Sequence, residues 1–175
     1  MSMNLSINAM TEKSDVFNQI ATQLSSLGFK VERKDQTRPW GGFFVLDENQ
    51  VALFAARYFP QLEMSEIQIT NKLSPKILVV APHKRLSWQY HFRRAEIWKV
   101  IAGTTVGVKI SDTDEQSDEI KSLESGSFIQ MDKGERHRLI GLDGWGVVAE
   151  IWQHTDPENP SDEDDIVRLQ DDFGR

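Results

Sequence analysis

From Ile77 onward, Gly, Pro and Asp cut the chain into strand-sized apolar runs. Ile77-Leu78-Val79-Val80 ends at Pro82, and Phe128-Ile129-Gln130-Met131 turns at Asp132-Lys133-Gly134 into His137-Arg138-Leu139-Ile140. Gly141 to Gly144 then leads to Val147-Val148-Ala149-Glu150-Ile151-Trp152. Thr105 to Ile110 and Ile120 to Leu123 add strands on either side of Ser111 to Glu119, whose five acidic residues read as a solvated hairpin loop. Many short strands with such turns build an all-β barrel or a double-sheet jelly roll. Upstream, Phe43 to Leu46 is a strand after the turn Arg38-Pro39-Trp40-Gly41-Gly42, and Val51 to Ala56 is either a strand or a short helix. One amphipathic helix is expected, with Thr11 as N-cap, Val16, Ile20, Leu24 and Leu27 on one stripe and Gly28 as the stop. Met1 to Met10 reads as a loose leader. The expected division is residues 1–37, leader and helix, and residues 38–175, a β-barrel with an acidic tail in which Ile166, Val167 and Leu169 pack back.

The 175 residues fit one domain with a real core, and the formal charge of -7 argues against a nucleic-acid partner. Without cysteine there is no disulfide or thiolate chemistry, which suits a reducing compartment. The opening segment lacks the apolar region of a secretory signal, and no apolar run reaches the ~20 residues of a membrane helix. A soluble, cytoplasmic protein is expected.

Candidate chemistry centres on Gln89-Tyr90-His91-Phe92-Arg93-Arg94-Ala95-Glu96-Ile97-Trp98. Gln89 and His91, two apart on a strand, point to one face. After a short turn, Glu96, Trp98 and Val100 share a face opposite Ile97, Lys99 and Ile101. His137 is available as a distant fourth donor. Taken singly, each residue has an ordinary reading: a hydrogen-bonded histidine, a polar strand position, or Glu96 as an ion-pair partner of Arg93 or Arg94. Together, Gln89, His91, Glu96 and His137 make a small open site for a divalent ion inside a barrel.

These motifs resemble the cupin superfamily, and specifically the cupin domain of type II mannose-6-phosphate isomerases. Arg38-Pro39-Trp40-Gly41, Leu86-Ser87-Trp88-Gln89-Tyr90-His91, Arg94-Ala95-Glu96-Ile97-Trp98-Lys99-Val100, Gly134-Glu135-Arg136-His137-Arg138 and Glu163-Asp164-Asp165-Ile166-Val167-Arg168 follow in the family's order, closing on Phe173-Gly174-Arg175. The family usually has histidines where this chain has Phe92, Arg93 and Ile97. The resemblance implies a cupin double-stranded β-helix with an N-terminal α-helix and a divalent metal on Gln89, His91, Glu96 and His137. Zinc is the expected ion, with Mn, Ni and Fe compatible. It also implies a homodimer and a sugar-phosphate ligand, while the charge and hydropathy already argue against a nucleic-acid or membrane partner.

The activity implied is aldose–ketose isomerisation of mannose 6-phosphate and fructose 6-phosphate or a related pair, serving nucleotide-sugar and polysaccharide synthesis. A metal can stabilise the charge that builds on two adjacent substrate oxygens, while a base moves the proton. Arg138, beside His137, is the first candidate for an electrostatic or phosphate role, followed by Lys84 with Arg85. Glu150 is a candidate base, or half of a salt bridge, and Arg168 either reaches the site or pins the tail. Trp40, Trp88 and Trp98 line a sugar pocket or pack in the core. His83 and His154 match no ligand position. No Gly-rich phosphate loop accompanies the motifs, so guanylyltransferase activity is not expected. Two other readings stand beside this one: a non-catalytic cupin that senses a sugar or sugar phosphate, and an oxygen-dependent cleavage, against which the neutral Gln ligand argues.

Overall fold

A computed structural model describes residues 3–174; Met1 and Ser2 of the leader and Arg175 of the closing motif lie outside the described residues. Two antiparallel sheets face each other. One has six strands in the order β1 (Val31–Asp35), β2 (Gly41–Leu46), β3 (Lys76–Val80), β10 (Gly146–His154), β5 (Arg94–Gly103) and β8 (Phe128–Met131). The other runs β11 (Val167–Gln170), β4 (Trp88–Tyr90), β9 (Arg136–Gly141), β6 (Val106–Ser111) and β7 (Lys121–Leu123). The fold is a cupin barrel with an N-terminal helix, α1 (Lys13–Ser26).

Both faces of the six-stranded sheet are buried, which explains why β3 and β10 read as near-continuous apolar runs. Inside, Trp40, Phe43, Leu78, Val80, Trp98, Val100 and Val148 form the barrel core with Val106, Val108 and Leu139 of the second sheet. Outside, Ile77, Val79, Ile97, Ile101, Val147 and Ile151 meet the α1 stripe of Val16, Phe17, Ile20 and Leu24. A second helix, α2 (Val51–Tyr58), adds Phe54, Ala55 and Tyr58 to the same outer core, so the ambiguous apolar run is helical. A single turn, α3 (Met64–Ile67), follows.

Several local expectations need correction. The helix starts at Lys13 after Glu12, with no side-chain cap; the Thr11 hydroxyl instead accepts the amide of Asn8 at 2.8 Å. The leader is not loose from Met3 on: the Met3 amide donates to Ile101 O at 2.8 Å, and Leu5 and Ile7 pack on the outer core. Alternating Met3, Leu5 and Ile7 carried that signal, in a segment too short for periodicity to register. Val31–Asp35, inside the segment read as leader and helix, is the charged edge strand of the large sheet. The acidic 111–119 segment is the expected exposed hairpin loop between β6 and β7, anchored at Asp114, whose O accepts from Trp88 Nε1 at 2.7 Å and whose carboxylate meets Arg136.

Glycine is required where β2 enters the sheet. Gly41 sits at φ 141°, and a Cβ there would overlap the Val79 carbonyl oxygen across the ladder. The close of the Arg-Pro-Trp-Gly motif is thus a backbone-approach site.

Candidate functional site

Strand alternation gathers the donors. Gln89 on β4 pairs across the ladder with His137 on β9, so both side chains point into the barrel, and His91 follows Gln89 at the two-residue period. Glu96 comes from the opposite sheet, with Trp98 and Val100 on its inward face. The result is a buried group in which ligand atoms of His91, Glu96 and His137 all lie within 4.8 Å of one another.

Each imidazole is oriented from behind. His91 Nδ1 donates to Asp165 O at 2.7 Å, and His137 Nδ1 to Glu135 O at 2.9 Å. A carbonyl acceptor fixes the proton on Nδ1 and leaves Nε2 for the centre, the arrangement found behind metal-bound histidines. His91 Nε2 is 3.1 Å from Glu96 Oε1, and His137 Nε2 is 3.2 Å from Glu96 Oε2. The second pair is misaligned for a hydrogen bond, so Glu96 Oε2 and His137 Nε2 are buried without a partner. Orphaned acceptors aimed at one point are what a divalent cation satisfies. The donor set fits such an ion.

Positive charge already reaches one side of the cluster. Arg94 Nε donates to Glu96 Oε1 at 2.8 Å, and Arg94 Nη2 lies 3.3 Å from His91 Nε2. Burial would raise the Glu96 carboxyl, but His91, Arg94 and His137 together hold it well below the ordinary value. Burial pushes His91 down against the pull of Glu96, keeping it neutral and able to ligate. Burial also works to lower His137, but Glu96 and the Glu135 carbonyl outweigh it and raise it.

Glu96 lines a cavity of about 100 Å³ whose walls include Gln89, Arg94, Trp98, Glu150 and Trp152. Gln89 Oε1 accepts from Ser87 Oγ at 2.6 Å, so this donor shares the cavity wall with its carbonyl turned toward the hydroxyl. Glu150 is gripped by two indoles: Trp98 Nε1 donates to Oε2 and Trp152 Nε1 to Oε1, both at 2.8 Å. Burial, reinforced by Glu96 and opposed by Lys76, pushes its carboxyl up to about 7.

Other candidates lie elsewhere. Arg138 follows His137 on β9 and therefore points to the opposite face, where Nε donates to Leu86 O at 2.7 Å and Nη1 to Gln116 Oε1 at 3.1 Å. Adjacent strand residues cannot both face the centre, so Arg138 is a strut between β9, the 111–119 loop and β11. Lys84 is exposed in the turn before β4, its carbonyl accepting from Gly141 N, and it does not line the cavity. Trp40 and Trp98 line the cavity, whereas Trp88 is buried against Asp114. Arg168 pairs across from Gln89 and lines the cavity. His154 packs on Ser74 at 3.0 Å.

Sequence reasoning missed Trp152, Lys76 and the tail segment around Asp165. Lys76 lies 3.8 Å from the Trp152 ring centroid, and its place at the head of a fully buried apolar strand marked it as unusual. The residues at Phe92, Arg93 and Ile97 all turn away from the cavity. Phe92 is exposed, Arg93 reaches the 159–162 segment, and Ile97 packs in the outer core.

Residues 47–171 match the family model described as mannose-6-phosphate isomerase C-terminal. The chain belongs to that family. A search of curated protein sequences gives no match. Among solved structures, the chain is similar to an oxalate oxidase in complex with glycolate, at 16% identity over 77% of this chain and 58% of that one, with a TM-score of 0.50. It is also similar to vicilin from Corylus avellana (hazelnut), at 17% identity over 76% of this chain and 35% of that one, TM-score 0.52. CapF from Staphylococcus aureus matches at 14% identity over 91% of this chain and 42% of that one, TM-score 0.50. At these identities the likeness is one of fold, and the chain spans little more than half the oxalate oxidase chain.

Proposed function

We propose that this protein is a metal-dependent aldose–ketose isomerase acting on a sugar phosphate, with mannose 6-phosphate and fructose 6-phosphate as the first pair to test. The observation that carries the reading is that Glu96, which joins His91 and His137 in the buried cluster, lines the same cavity as the indole-held carboxyl of Glu150. His91, Glu96 and His137, with Gln89 in the same wall, would hold a divalent ion, zinc first. When bound, it would supply electrostatic stabilisation of the negative charge that builds on adjacent substrate oxygens.

The remaining work falls to the chain. Glu150, fixed by Trp98 and Trp152, takes a proton from one substrate carbon and returns it to its neighbour, while the hydroxyl proton passes between the two adjacent substrate oxygens. Its position near neutrality suits it to both halves of the exchange. Trp40 and Trp98 offer flat apolar surface for a sugar ring, while the Trp152 ring is covered by Lys76 and Arg94. The family's missing histidines bear little on this, since Phe92, Arg93 and Ile97 point elsewhere. CapF, a capsular polysaccharide assembling protein with a similar fold, is in keeping with a setting in polysaccharide synthesis.

The test is metal analysis together with a coupled assay for mannose 6-phosphate conversion, on wild type and His91→Ala. Activity that falls with the metal in His91→Ala supports the isomerase. Metal and sugar phosphate bound without turnover would replace it with a sugar-phosphate sensor.

A further inference from the structure

The turn that carries His91 into β5 runs through His91-Phe92-Arg93-Arg94 without a Gly or Pro to shape it. Its shape comes from the tail. Asp165, 5% exposed, accepts the Phe92 amide on Oδ1 at 2.9 Å and the Arg93 amide on Oδ2 at 3.0 Å. Its Oδ2 also accepts the Ser161 hydroxyl at 2.6 Å. Its carbonyl accepts His91 Nδ1 at 2.7 Å. The same segment holds Arg94, whose Nη1 donates to Ser161 Oγ at 2.9 Å and to Asp162 O at 3.0 Å.

We propose that Asp165 is a positioning residue of the metal centre: its carboxylate clamps the 91–94 turn while its carbonyl sets the His91 ring, so that the C-terminal segment 161–165 determines how tightly a divalent cation is held. This rests on the metal reading above. The carboxylate supplies acceptors for two amides next to the ligand that would otherwise be left unpaired, and leaving buried donors unpaired is costly. The backbone carbonyl keeps the Nδ1 proton in place, so Nε2 presents its lone pair to the cluster. Burial would raise the Asp165 carboxyl, but the Ser161 hydroxyl and the two amides hold it below its usual range, so it is ionised throughout the neutral region.

The test is equilibrium dialysis of the full chain against Zn²⁺, with Co²⁺ absorption spectra, on wild type, His91→Ala, Asp165→Ala and Asp165→Asn. Thermal unfolding is followed in chelator alongside. Asp165→Ala is expected to bind Zn²⁺ about 10- to 100-fold more weakly and to change the Co²⁺ spectrum. Asp165→Asn is expected to fall between, because its oxygen still accepts Phe92 while its amide group confronts the Arg93 N–H. Wild-type affinity and spectrum in Asp165→Ala, with only the chelator melting temperature lowered, would overturn the proposal and leave a structural clamp. Should Asp165→Ala not fold, Asp165→Asn is judged by the same criteria. Wild type binding no better than His91→Ala would overturn the metal reading itself, and the clamp with it.

Discussion

Glu150 shows how one carboxyl can be tuned by burial and then held in place by specific donors. Two indoles fix its oxygens, while burial and Glu96 push it up to about 7 against the pull of Lys76. The folded state therefore keeps a proton that the unfolded chain releases near the ordinary glutamate value of 4.5. Between those limits the native state binds more protons, so stability falls as pH rises through the window and the contribution is fully present only below it. Over that interval the loss is at most about 3 kcal/mol. Glu150→Gln should flatten the slope: in chelator, denaturant unfolding at pH 5 and pH 8 should differ less for the variant than for wild type. An equal slope in both would show that the carboxyl titrates normally. In the isomerase assay the same substitution should lower kcat by about 10²- to 10⁴-fold, with KM nearly unchanged. A full-rate Glu150→Gln would send the search for the base elsewhere.

Among elements, legibility followed how much of a residue's environment lies along its own strand or helix. Val16, Ile20 and Leu24 repeat at helical spacing, so α1 was readable, and His91, Glu96 and His137 were readable because a period of two fixes their faces. The same rule, applied to Arg138, would have turned it away from the site. The environment of Val31–Asp35 is set by β2, and that of Val51–Tyr58 by an outer core built from distant strands, so their own residues could not announce it. In the acidic tail the expected anchors are the apolar Ile166, Val167 and Leu169, yet Asp165 and Ser161 are buried because they serve Arg94, His91 and the turn between them. At this scale α1 is the clearest test of the outer core. Leu24→Ala removes a fully buried side chain and should cost about 2–5 kcal/mol in denaturant unfolding. Because that core lies on the far face of the six-stranded sheet, Zn²⁺ affinity should hold within about twofold; a larger drop would mean the helix supports the site directly.

Across the whole molecule, the cluster joins the two sheets. Glu96 comes from the six-stranded sheet, while His91 follows β4 and His137 lies on β9 of the five-stranded one. In the unfolded chain those donors are scattered, so a cation that binds them binds the native state alone and stabilises the barrel as a unit. At a free concentration of about 100 times Kd the gain is ~2.7 kcal/mol. For a chain of this length that is a rise of roughly 5–10 °C in melting temperature. Wild type should therefore melt higher with excess Zn²⁺ than with chelator, and His91→Ala and His137→Ala should lose the increment. Arg138→Ala separates this from general stability. It removes a fully buried strut on the opposite face of β9, so its melting temperature should fall in chelator while the Zn²⁺ increment survives. A wild type whose melting temperature ignores both Zn²⁺ and chelator would mean that the two sheets are held together without a cation, with Glu96 balanced by His91, Arg94 and His137.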